Sequence, residues 1–89
     1  MFRRLFHLLV LHFVTLTWNA STTPNVKYHI YRHDNATFPS KIYANAGIDL
    51  TYTDENVLGG HTYWYWVTAY DKNGESAPLG PIKVNVPED

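Results

Sequence analysis

The chain has no cysteine, which excludes a disulfide framework, a thiolate nucleophile and a cysteine-bound zinc. It has no cationic surplus either: 7 Lys and Arg stand against 8 Asp and Glu, for a formal net charge of −1. Nucleic acid and anionic membranes select clustered Lys and Arg, so neither is expected as a partner. Long hydrophobic runs are also missing. The longest, Leu5 to Leu11, is broken by His7 and falls far short of the roughly 20 apolar residues that a spanning helix needs. The sequence lacks a phosphate-cradling glycine loop, a close carboxylate pair, and a nucleophile beside a base, so no catalytic residue and no cofactor is expected.

What is abundant is aromatic. Phe, Tyr and Trp make up 16% of 89 residues, with 7 Tyr and 3 Trp, and such rings suit half-buried pleated surfaces. A hydrophobic share of 45% beside a charged share of 17% is the balance of a globular chain. The length has room for one domain.

Period-2 alternation recurs along the chain and marks strands with one buried face. In VTLTW, Val14, Leu16 and Trp18 alternate with Thr15 and Thr17. Asn19 to Asn25 collects turn-forming residues around Pro24. VKYHIYR then places Val26, Tyr28 and Ile30 on one face and Lys27, His29 and Tyr31 on the other. A weaker element, Lys41 to Ala44, follows Pro39, and a short one spans Leu50 to Thr53. The longest strand, Thr62 to Tyr70, directs Tyr63, Tyr65, Val67 and Ala69 inward and Trp64, Trp66, Thr68 and Tyr70 outward. Asn73-Gly74 forms the tip of the next turn, and Ile82, Val84 and Val86 face inward from a last strand. Six or seven short strands separated by turns, without helical periodicity, predict an all-β antiparallel sandwich.

Met1 to Val14 supports two readings. Arg3 and Arg4 ahead of an apolar run resemble a secretory signal, although no small-x-small cleavage site follows. Alternatively, and as expected from the alternation, Phe6, Leu8 and Val10 form the inward face of a first strand, or the apolar stretch covers the side of the sandwich where that strand belongs. The expected organisation is an apolar N-terminal segment over residues 1–12, a domain over 13–87 and a tail at 88–89.

From Phe13 to Pro87 these segments resemble a fibronectin type III domain, especially those of bacterial extracellular proteins. Trp18 resembles that family's core tryptophan on its second strand, and Tyr28 and Ile30 match the third. Tyr52-Thr53-Asp54 resembles the fifth strand, and Val57 to Tyr63 the turn and tyrosine that open the sixth. Val67 to Asp71 and Asn73 to Ser76 complete the pattern. The first strand is atypical or missing, which would leave a sheet edge open, and Gly59 stands where the family often has proline. The loop from Asp71 to Pro81 has no Arg-Gly-Asp, so integrin recognition does not carry over. The resemblance implies an immunoglobulin-like sandwich of about seven strands, acting as a non-catalytic spacer or scaffold at the cell surface or outside the cell. Its partners would be neighbouring domains or another protein, and the module would be a monomer.

The same residues define a core and a candidate face. Trp18, Tyr28, Ile30, Tyr63 and Val67 are expected inside, with the Tyr63 hydroxyl bonded to nearby backbone. Trp64 and Trp66 should leave the outer face about 6 to 7 Å apart, with Tyr31 and His29 beside them and Lys83 and Asn85 flanking. Such a platform could stack on a polysaccharide or anchor a protein. It could equally consist of cross-strand pairs, with Lys83 over an indole as a cation–π contact. Of the five histidines, His29 and His33 share a face but lie roughly 13 Å apart, too far for one zinc ion with ligands at about 2 Å; no metal is expected. Asp54, Glu55, Glu75 and Ser76 read as solvated loop residues. The tripeptides Asn19-Ala20-Ser21 and Asn35-Ala36-Thr37 are N-glycosylation sequons in expected loops.

Overall fold

A computed structural model describes residues 12–88. It forms seven strands: β1 (Val14–Thr17), β2 (Lys27–His33), β3 (Ala44–Gly47), β4 (Thr51–Asp54), β5 (Thr62–Asp71), β6 (Gly74–Glu75) and β7 (Leu79–Asn85). The expectation of an apolar first strand carrying Phe6, Leu8 and Val10 lies outside the described residues.

All pairings are antiparallel. β1 and β4 form one sheet, and a second runs β3-β2-β5 with β6 and β7 both along the far side of β5. Between the sheets lies a core of Val14, Leu16, Tyr28, Ile30, Val57, Tyr63, Tyr65, Val67 and Val86, with Trp18 packed against it from the margin. Alternation explains this placement. Val14 and Leu16 turn inward while Thr15 and Thr17 face water, so one face of each strand supplies apolar area that only the opposite sheet can cover.

Several boundaries differ from expectation. The third strand runs from Ala44, just past the bond from the Tyr43 N–H to the Ile30 carbonyl, where Lys41 to Ala44 was expected. It ends at Gly47, whose φ of 61° favours glycine. The hairpin after β5 turns through Lys72 and Asn73, and Gly74 already pairs with Asp71 as the first residue of β6. Ile82, expected inward, is 45% exposed. It lies on β7, pairs with Tyr65 of β5, and sits at the rim because β7 has no strand on its other side among the described residues. Pro81 is accommodated within β7 for the same reason, since an edge strand can spare an N–H.

Candidate functional site

The outer face of the larger sheet gathers the residues expected there. Register places Tyr31 opposite Trp66, His33 opposite Trp64, and His29 opposite Thr68, with Lys83 opposite Trp64 on the other side. All five candidate residues, Trp64, Trp66, Tyr31, His29 and Lys83, therefore share one surface. The open platform does not follow. Trp66 is 3% exposed and Tyr31 6%, because the β2–β3 loop lays Phe38 across both. The Phe38 ring lies 4.6 Å from Tyr31 and meets Trp66 edge-on at 5.4 Å. Trp64 is half-buried, and the Lys83 ammonium stands 5.6 Å from its ring centroid. His29 stacks on Tyr70 at 3.7 Å. Strand periodicity puts these side chains on one face, and Phe38 from the ten-residue β2–β3 loop covers Trp66 and Tyr31 there.

Glu75 ties this face together. Its Oε2 accepts hydrogen bonds from the Tyr31 hydroxyl at 2.5 Å and from the Thr68 hydroxyl, and lies 3.2 Å from His29 Nδ1. Burial opposes ionisation of Glu75, yet the bonds from Thr68, Tyr31 and His29 outweigh it and hold the carboxyl below its usual range. Burial, reinforced by Glu75, pushes the Tyr31 hydroxyl up to about 12. Glu75 is thus exposed, as expected, but it belongs to the short β6 and is bonded to β2 and β5, where a loop residue was expected.

Asp54 is a larger correction. It is wholly buried at the end of β4. Oδ2 accepts from Arg32 Nη1 at 2.9 Å and from the Tyr65 hydroxyl at 2.7 Å; Oδ1 accepts from the Tyr43 hydroxyl at 2.7 Å and the Asn56 N–H at 3.1 Å. Arg32 in turn lies over the Tyr43 ring at 4.1 Å and the Tyr63 ring at 4.7 Å. Burial would raise the Asp54 carboxyl, but the hydrogen bonds from Tyr43, Tyr65, Asn56 and Arg32 hold it below the carboxylate range. Burial, then the bond to Asp54, pushes Tyr43 up to about 12, and Tyr65 is raised still further. A buried carboxylate with every lone pair occupied has no capacity left for acid–base chemistry on a substrate. A sequence signal existed in retrospect: Arg32, Tyr43 and Tyr65 each lie at a strand position or edge where the hydroxyl or guanidinium needs a buried partner.

Tyr63 behaves as expected, its hydroxyl accepting the Leu58 N–H at 3.0 Å. Trp18 lies with its ring centroid 5.6 Å from Tyr28, and its buried indole N–H has no acceptor among the described residues. Among the described residues, no group of three or more His, Asp or Glu is placed to hold a metal ion. Both sequon asparagines, Asn19 and Asn35, are exposed.

No family model matches the chain. It is 46% identical over 61 residues to an amylopullulanase of Thermoanaerobacterium thermosulfurigenes, a match that covers 65% of this chain and 3% of that protein. The chain thus spans a small fraction of the length of this relative. Among solved structures, the fibronectin type-III domain of human fibronectin type III domain containing protein 3 superposes with a TM-score of 0.72 at 21% identity, over 89% of this chain and 76% of that one.

Proposed function

The chain has the fibronectin type III fold, and we propose that it works as a non-catalytic accessory module that spaces or supports other domains of a larger extracellular protein acting on a polysaccharide. The observation that carries this reading is the state of its outer aromatic face. Trp66 and Tyr31 are covered by Phe38, and the exposed side of Trp64 is shared with Lys83. A face already packed by its own loop offers little desolvatable surface to a ligand. The stretch of an amylopullulanase that aligns here is a small part of that protein, as an accessory module would be. Pullulan is a polymer too large to enter a cell, so an enzyme named for it would work outside, and this module with it.

The alternative, a carbohydrate- or protein-binding module using Trp64, Trp66, Tyr31, His29 and Lys83, is tested by the same measurement. Pullulan and malto-oligosaccharides are titrated into the protein while tryptophan emission is followed. The spacer reading expects no change in emission. A saturable change near millimolar ligand, about −4 kcal/mol, that is lost in Trp64→Ala would establish the binding module instead.

A further inference from the structure

The segment by which the chain leaves the domain is held as firmly as a strand, and the loop that holds it is the glycine pair before β5. The Gly60 N–H donates to the Val86 carbonyl at 2.9 Å and to the Pro87 carbonyl at 3.2 Å, and the Val86 N–H donates back to the His61 carbonyl at 2.8 Å. These bonds extend the β5–β7 ladder two residues past its last pair, Thr62 with Asn85. Both glycines are crowded by the two ends of the domain. A Cβ on Gly59 would stand 2.9 Å from His12 Nε2 and 3.1 Å from the Pro87 carbonyl oxygen, and one on Gly60 would stand 3.0 Å from Glu88 Cγ. Gly60 also has a φ of 79°, which side-chain-bearing residues rarely adopt. The incoming end at His12 and the outgoing end at Pro87–Glu88 therefore both pack close against one loop.

That loop is itself anchored. The Tyr63 hydroxyl accepts the Leu58 N–H at 3.0 Å, the His61 N–H bonds the Leu58 carbonyl at 3.3 Å, and Val57 beside it is in the core. The corner tyrosine thus connects the core to the loop, and the loop to the outgoing backbone.

We propose that Gly59 and Gly60 form a junction clasp that fixes the direction in which the chain leaves the domain, so that a neighbour joined at this end is held at a set angle and does not swing on a free linker. The consequence for neighbouring domains rests on the spacer reading above; the clasp itself does not. Two or three hydrogen bonds formed before any neighbour docks remove most of the ordering cost that a flexible joint would impose at docking. Backbone order, not exposure, is what separates a rigid from a flexible spacer.

The test is 15N relaxation on the full 89-residue protein, read at the Val86 and Glu88 amides. The clasp predicts order parameters at both of about 0.8, close to those of a rigid backbone, where a free tail would give less than about 0.6. Gly59→Val, which places a branched side chain against His12 and the Pro87 carbonyl, should drop Glu88 into the flexible range and speed hydrogen exchange at Gly60 while Val67 in β5 stays protected. Gly59→Ala, a smaller intrusion, should give an intermediate value and remains informative if the valine variant unfolds. An order parameter below about 0.6 at Glu88 in the unaltered protein would overturn the proposal, as would unchanged order in a folded Gly59→Val. Neither result bears on polysaccharide binding, so loss of the clasp and loss of the spacer reading are told apart by separate measurements.

Discussion

The Tyr65 hydroxyl donates a 2.7 Å hydrogen bond to the Asp54 carboxylate, with both residues wholly excluded from solvent. Asp54 belongs to β4 in the small sheet and Tyr65 to β5 in the large one, so this bond crosses the sandwich and joins its two layers through the core. Arg32 on β2 and Tyr43 just before β3 reach the same carboxylate. Removing one member of a buried, fully bonded group strands the others. Asp54→Ala should therefore destabilise the domain by about 3 to 5 kcal/mol, on the scale of the whole stability of a small domain. Equilibrium urea unfolding measures it. An unchanged midpoint would mean that Arg32 and the two tyrosines find water or other acceptors at no cost.

Acid should unfold the protein by titrating two identified carboxylates. Asp54 and Glu75 both have folded pKa values below their ordinary ones. The unfolded chain therefore binds more protons than the native one in that range, and stability falls as pH falls. The contribution is complete above roughly pH 5 and is lost progressively as pH drops through about 4 and below. Thermal midpoints recorded from pH 7 to pH 3 should decline over this window. The decline should be shallower in Glu75→Gln, which retains an acceptor for Tyr31 and Thr68 but does not titrate.

The alkaline limb has the opposite sign. Tyr31 and Tyr43 are raised to about 12 in the folded protein, and Tyr65 is raised as well. Their neutral forms stabilise the fold below about pH 10, and that contribution is lost as pH rises from 10 through 12. Absorbance at the tyrosinate band should therefore reach its full value only together with loss of the circular dichroism of the sheet. Simultaneous ionisation of all 7 tyrosines in a folded protein would contradict these hydrogen bonds.

Trp18 and Gly80 make a contrasting pair. The buried indole N–H of Trp18 is unbonded among the described residues, so Trp18→Phe removes an unsatisfied donor along with some ring area and should cost no more than about 1 kcal/mol. Trp18→Ala removes the ring that packs on Tyr28 and should cost about 2 to 3 kcal/mol, below the value for a fully buried tryptophan. At Gly80, φ is 132° and a Cβ would come within 2.7 Å of the Tyr65 carbonyl oxygen and 3.0 Å of Trp66 Cδ1. Gly80→Ala should therefore destabilise by at least about 1 kcal/mol and shift Trp66 emission to the red. A stabilising effect would mean that β7 can be displaced from β5 freely.

For the strands that alternate strictly, identity and direction were determined by the sequence alone. Alternation in VTLTW, VKYHIYR and TYWYWVTAY set which residues face the core, because a pleated strand sends successive side chains to opposite faces, and Tyr28, Ile30, Tyr63 and Val67 lie where that rule puts them. What it could not determine was cover. Trp66 and Tyr31 do point outward, yet Phe38, from the loop that follows the Tyr31 strand and distant from Trp66 in sequence, closes over them. Asp54 and Glu75 look like loop carboxylates in sequence, and only pairing across strands brings Arg32, Tyr43 and Tyr65 to the first and His29, Tyr31 and Thr68 to the second. Burial and hydrogen-bond partnership depend on which distant segments meet, so they belong to the tertiary structure, while the period of two is a local property of the backbone and can be read residue by residue.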